Sequence, residues 1–270
     1  MSSAAPARVA AIDVDGTLLT SDHRITPTVA AALARVRARG VAVVLTTSRP
    51  PRAVWPILAE LGLVDPEVFI ASQGALTGSY TEGGELLVID RQPMSVQPAR
   101  AVCAAGAAAG LAVSWFAGER WLVPHIDDRI RQEAAIVGCS PEAADLALVS
   151  EAPDKILLLG PSTVPGVDMA RAVKVPDGLV GLASTRTHFE ITRADVDKAG
   201  ALLRLCTRRG VGAAEVVAIG DGRNDLGMLS MAGVSVAPAN AHPDVLAAVD
   251  IVTGSNDEDG VAQALDGLVP

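Results

Sequence analysis

Two carboxylates, Asp13 and Asp15, stand one residue apart at the end of the apolar run "VAAI" and are followed by Gly16 and Thr17. A carboxylate in a buried setting is costly unless something positive lies on it. Two more polar clusters also follow apolar runs: Thr46–Thr47–Ser48–Arg49 after "VAVVL", and Asp221, Asn224 and Asp225 in "GDGRND" after "VVAI". A lone cation, Lys198, opens the segment "KAGALLRL", in a helical first turn expected to be capped by Asp195. The helix dipole disfavours a cation there, and a residue that breaks a local rule is a candidate for function. If these clusters converge, Asp13, Asp15, Asp221 and Asp225 share one crevice with Lys198 as the obvious cation. Two unit charges about 4 Å apart interact by roughly 4 kcal/mol at an effective dielectric near 20. Four carboxylates cannot all stay ionised on one ammonium, so some are protonated or a divalent ion sits among them. All-oxygen ligands without nearby His or Cys favour Mg²⁺ over Zn²⁺.

Convergence depends on the elements that carry these residues. Val9–Val14, Val41–Thr46 and the stretch from Glu67 read as short, continuously apolar strands. Between them, Thr26–Arg39 and the segment from Pro51 to Leu61 carry helical spacing. The pattern resumes with a helix at Asp197–Arg209, a strand from Glu215, a helix at Asn224–Ala232 and a strand from Gly233. Apolar strands alternating with helices predict a doubly wound parallel sheet, a Rossmann-like α/β core. In such sheets ligands bind at the carboxyl ends of the strands, where all three polar clusters fall.

The middle of the chain has a different texture. A hairpin turning at Gly83–Gly84 leads into helix Ser95–Ala109, strands near Leu111–Trp115 and Arg120–Val123, and helix Asp127–Val137. Strand "KILLLG", helix Pro165–Val173, and strands near Leu179–Ala183 and Thr187–Ile191 complete it. Residues 83–188 are therefore expected to form an α+β domain inserted into a core made of 1–82 and 189–270.

Bulk properties narrow the classes further. Half of the 270 residues are hydrophobic, enough for a real core. A net charge of −9 argues against nucleic acid or an anionic membrane surface as partner. Cys103, Cys139 and Cys206 form no metal spacing, and the first residues, "MSSAAPARVAAI", hold no long apolar stretch, so a cytoplasmic protein is expected. The uncharged run Ala101–Gly118 approaches a membrane span in length, but Gly110 divides it into a helix and a strand.

In order along the chain, "DVDGTLL", "LTTSRP", "DVDKAGAL" and "GDGRNDLGML" resemble the four motifs of the haloacid dehalogenase-like (HAD) phosphatases. The likeness is to the Cof-type branch with a class IIB cap inserted between the second and third motifs. It implies Asp13 as nucleophile and Asp15 as general acid and base. Thr47, Lys198 and Asn224 are implied as phosphate contacts, and Mg²⁺ on Asp13, the main chain of Asp15, Asp221 and Asp225. Arg49 and His188 are the candidate substrate contacts. Ser48 and Gln73 stand where that branch commonly has Gly and Asn. The implied activity is hydrolysis of a small phosphomonoester, such as a sugar phosphate; a sugar phosphomutase and a non-catalytic sugar-phosphate sensor are the alternatives.

Overall fold

The computed structural model describes residues 6–161 and 166–268. The first half of the core comprises β1 (Val9–Asp13), α1 (Pro27–Ala38), β2 (Ala42–Thr46), α2 (Pro51–Leu61), β3 (Phe69–Ala71), β4 (Leu76–Tyr80) and β5 (Leu86–Arg91). The middle contributes α3 (Val96–Ala108), β6 (Ala112–Ala117), β7 (Arg120–Val123), α4 (Asp128–Val137), β8 (Glu142–Ala143) and β9 (Lys155–Leu159). It continues with α5 (Gly166–Ala172), β10 (Leu179–Ala183) and β11 (His188–Arg193); the expected start of α5 at Pro165 lies outside the described residues. The chain closes with α6 (Lys198–Arg209), β12 (Val216–Ile219), α7 (Leu226–Met231), β13 (Val234–Pro238), α8 (Pro243–Leu246), β14 (Ile251–Thr253) and α9 (Gly260–Leu268).

The strands assemble into two sheets. One has eight strands in the order β14-β13-β12-β1-β2-β3-β4-β5, parallel from β14 to β3, with β4 and β5 added antiparallel. Its inner strands are apolar on both faces because both faces are covered. Ile12, Leu45 and Ile219 pack with α1, α2 and α9 on one side. Their neighbours Ala11, Val44 and Ala218 pack with α6, α7 and α8 on the other. The chain builds outward from β1 to β3, then returns through β12 on the opposite flank of β1. The carboxyl ends of β1, β2 and β12 therefore lie side by side at the point where the winding reverses, which is where ligands bind in this architecture.

The second sheet has six strands in the order β10-β11-β9-β6-β7-β8. One face buries Trp115, Leu158 and Phe189 against α3 and α5. The other face, with Phe116 and Leu157, packs with α4 and with Ala53 of α2, so it turns toward the core.

The elements depart from the expected ones in three places. The boundary anticipated after residue 82 falls inside the β4–β5 hairpin, whose strands both belong to the eight-stranded sheet. The boundary anticipated after residue 188 falls inside β11, which pairs with β9 and β10 of the other sheet. Strand pairing, a long-range property, sets both limits. Finally, α6 is capped by Asp197, whose carboxylate accepts from Gly200 N at 2.7 Å, and not by Asp195, which pairs with Arg193. Lys198 is thus the first residue of the helix.

The turn after β3 places that helix start. Gly74 has φ +99°, and a Cβ on it would lie 2.1 Å from the Asp197 carbonyl oxygen. Only glycine lets the turn lie against the N-terminus of α6. Gly74→Ala is expected to destabilise the protein by more than about 2 kcal/mol, through left-handed backbone strain plus a backbone clash. Chemical denaturation of the variant beside the parent checks this.

Candidate active site

The end of β1 turns back on itself: Leu18 N donates to Asp13 O at 3.2 Å and Leu19 N to Val14 O at 2.9 Å. Gly16, at φ +81°, makes the turn possible; a Cβ there would lie 2.5 Å from an Asp221 carboxylate oxygen. Thr17, buried beside it, donates its hydroxyl to Asp221 Oδ1 at 2.7 Å. The strand-end turn of β1 and the loop after β12 are thereby locked together across 204 residues.

Lys198 is the centre of the site. Its ammonium is fully buried and donates to Asp13 Oδ1 and, at 2.7 Å, to Asp225 Oδ1. Asp225 spends its other oxygen on Gly222 N at 2.9 Å and Asp221 N at 3.2 Å, so it holds both the lysine and its own loop. Oxygens of Asp13, Asp221 and Asp225 all lie within 4.8 Å of one another. Burial and the neighbouring Asp225 and Asp221 charges push the Asp13 carboxyl well above its ordinary range, against the pull of Lys198. Asp221 is raised too, by burial first and Asp225 next, with the Thr17 hydrogen bond opposing. Burial works against the Lys198 charge, but Asp13 and Asp225 overcome it and raise the lysine above its ordinary value.

Three ionised carboxylates against one ammonium leave two negative charges uncompensated. Carboxylate oxygens are hard ligands, and among the described residues no His or Cys joins this group. The donor set and the residual charge both fit one Mg²⁺-like divalent cation.

Asp15 stands apart from that group. Its carboxylate takes two bonds from Arg49, Nε at 2.8 Å and Nη2 at 2.6 Å, and His23 lies 3.9 Å away. Lys198 is therefore not the sole cation in the crevice, as the motifs alone suggested; Arg49 is a second, dedicated to Asp15. Thr47 has no exposed surface, and its hydroxyl oxygen accepts from Arg49 N at 3.0 Å. Asn224 does not reach into the acidic group but donates to Gln73 Oε1 at 3.1 Å. His188 lies across the cavity on β11, with Nε2 2.9 Å from Glu133.

Three site residues, Glu133, Lys155 and Glu190, escaped the sequence reading, and Thr17 and Gln73 stood in it without a role. Gln73 donates to Glu190 at 3.3 Å; Lys155 donates to Glu190 at 3.1 Å and to the Ser48 carbonyl at 2.7 Å. A buried polar chain thus runs from Asn224 through Gln73 to the six-stranded sheet and back to Ser48. Burial pushes the Glu190 carboxyl up, but Lys155, Ser184 and Gln73 outweigh it and hold the group below its ordinary value. The two positions that depart from the family motifs, Ser48 and Gln73, are both in this chain. An available signal for Lys155 was a charge opening an all-apolar strand, "KILLL"; Glu133, on a helix of mixed polarity, carried none.

A sequence model of the haloacid dehalogenase-like hydrolases matches residues 10–265. The Bacillus subtilis (strain 168) protein YxeH is 31% identical over 270 residues, covering 97% of this chain and 98% of that protein. The pyridoxal phosphate phosphatase YbhA of Escherichia coli (strain K12) is 26% identical over 279 residues, covering 95% and 96%. Among solved structures, BT1666 from Bacteroides thetaiotaomicron, described among HAD phosphatases, superposes with a TM-score of 0.80 at 25% identity, covering 97% of this chain and 95% of that one. The chain belongs to the haloacid dehalogenase-like hydrolases and is an enzyme of that family, whose full-length relatives include phosphatases. Among the described residues no helix is long and apolar enough to cross a membrane.

Replacing Lys198 by methionine removes the one cation from a buried acidic group. Breaking a buried ion pair in this way costs about 3–5 kcal/mol. The lysine's folded value lies above its unfolded one, so its stabilisation is fully present below the ordinary lysine range. In Lys198→Met, Asp13 and Asp221 lose the charge that opposes their upward shift, so the deficit relative to the parent grows as pH rises from 5 to 8. Urea unfolding of both proteins in metal-free buffer at the two pH values measures it.

Proposed function

We propose that this enzyme hydrolyses a small phosphomonoester, a sugar phosphate above all, in a Mg²⁺-dependent reaction through an aspartyl-phosphate. The observation that carries the reading is the buried Lys198 clamped between Asp13 and Asp225, with Asp221 alongside, at the strand ends of a haloacid dehalogenase-like fold. Asp13 attacks phosphorus and the ester oxygen departs. Asp15 gives its proton to that oxygen, then takes one from the water that cleaves the aspartyl-phosphate, so one group serves as acid and then base. The two-pronged Arg49 contact aims Asp15. Before the first step Asp15 must take up a proton.

Lys198 offsets charge on both Asp13 and the incoming phosphoryl group. Thr47, whose hydroxyl oxygen accepts from Arg49 N, keeps its own proton for a phosphoryl oxygen. The Asp13 and Asp221 carboxylates and the Asp15 carbonyl would hold Mg²⁺, with Asp225 and Asn224 behind them. When bound, the ion supplies charge compensation at the transferring phosphoryl oxygens. The six-stranded unit acts as a cap that closes over the crevice and keeps bulk water out during the first step. The cavity between the sheets, about 500 Å³, suits a small metabolite.

Asp13→Asn is expected to abolish turnover of p-nitrophenyl phosphate, by at least about 10³-fold given the loss of the attacking group. EDTA is expected to do the same, reversibly on adding Mg²⁺. Full activity after either change refutes the reading. Measuring isomer formation beside phosphate release from hexose phosphates separates hydrolase from mutase: phosphate release without isomer is expected.

A further inference from the structure

The cavity wall facing the phosphoryl site carries two buried acids, and they differ in what holds them. Glu190 accepts from Ser184, Lys155 and Gln73, and Lys155 in turn is spent on Glu190 and the Ser48 carbonyl. Both belong to the closure between cap and core. Glu133 is different. It faces the same cavity from α4, its side chain is 10% exposed, and its single hydrogen-bond partner among the described residues is His188 Nε2 at 2.9 Å. The other carboxylate oxygen has no hydrogen-bond partner among the described residues.

His188 is fixed from behind by the hydroxyls of Thr185 and Thr187, 2.8 and 3.0 Å from Nδ1. A carboxylate can only accept, so Nε2 donates to Glu133, while the threonine hydroxyls fix the ring at Nδ1. Glu133 is thus aimed while keeping acceptor capacity. Its second oxygen is not sealed inside the protein, so it can accept from a ligand that enters the cavity. On the core side of the same cavity, Arg49 spends Nε and Nη2 on Asp15, and among the described residues Nη1 has no partner. Burial works against the Arg49 charge, but Asp15 first, and Glu133 among the further charges, raise it above its ordinary value.

A free acceptor and a free donor facing one space match a hydroxyl group, which both donates and accepts. Phe116, Val137 and Leu157 line the cavity beside them and suit the C–H face of a saturated ring. A second phosphate would meet Glu133 and Glu190 with Lys155 already neutralised, an arrangement that repels it.

Building on the hydrolase reading above, we propose that Glu133 and Arg49 together bind a hydroxyl of the leaving alcohol and select esters of uncharged, polyhydroxylated alcohols over bisphosphates and over esters without hydroxyls.

The test compares kcat/KM for hexose 6-phosphates, their single-deoxy analogues, fructose 1,6-bisphosphate and p-nitrophenyl phosphate in the Mg²⁺-loaded enzyme. The wild-type enzyme is expected to prefer a hexose monophosphate over the bisphosphate and to lose roughly tenfold or more on one deoxy analogue, as a site built to bind a hydroxyl should. Glu133→Gln is expected to lower the ratio of hexose phosphate to p-nitrophenyl phosphate activity by a similar factor. On the sensitive deoxy analogue it adds little further loss. Equal loss on every ester, or no deoxy analogue distinguished by the wild-type enzyme, overturns the assignment of Glu133 while leaving the hydrolase reading intact. Absence of turnover with every ester removes both. The wild-type deoxy series needs no variant, so a poorly folding Glu133→Gln still leaves a decisive result.

Discussion

Everything in this structure that points to chemistry depends on an electrostatic imbalance. Asp13, Asp221 and Asp225 are drawn together at the ends of two adjacent strands, and one buried ammonium is all that the described residues set against them. The cluster exists because the backbone forces it. β1 and β12 are neighbours in the sheet, Gly16 lets the β1 turn lie against Asp221, and Thr17 ties the two loops. Such crowding is unfavourable in isolation, which is why Asp13 and Asp221 are pushed toward their neutral forms. A site that holds acids where they would not choose to ionise is prepared for a cation and for a group whose own charge changes during reaction.

A second layer of buried polar contacts links this centre to the six-stranded sheet. Asn224, Gln73, Glu190, Lys155 and the Ser48 carbonyl form one chain in which the described partners satisfy each charge. Such a chain is directional in a way that apolar packing is not, so it specifies one orientation of cap on core. It also accounts for the two unusual motif residues. Gln73, at φ +60°, is one methylene longer than asparagine and spans from Asn224 to Glu190. Ser48 contributes through its carbonyl, which any residue supplies; the structure gives no reason for its side chain.

Much of the core could be read from residue order. The β1, β2 and β12 runs were legible because strands buried on both faces need unbroken apolar sequence, and Thr26 and Asp127 mark helix starts through their capping oxygens. The charge deficit was legible too, since four strand-end carboxylates and one lysine can be counted without coordinates. Less legible were the contacts that divide those charges. Asp15 left the acidic group for Arg49, and Asp197 displaced Asp195 as the cap, because side chains choose partners by reach and angle and not by proximity in sequence.

The sequence by itself determined the alternation of elements and the identity of the acids at the strand ends. Those features follow from local propensity and from the period of burial. The tertiary structure alone decided where one sheet stops and the next begins, since β5 and β11 join whichever strand offers them hydrogen bonds. It also decided that Glu133 and His188, 55 residues apart, meet across the cavity from Arg49. Specific binding of a leaving group depends on such encounters, and no local pattern encodes them.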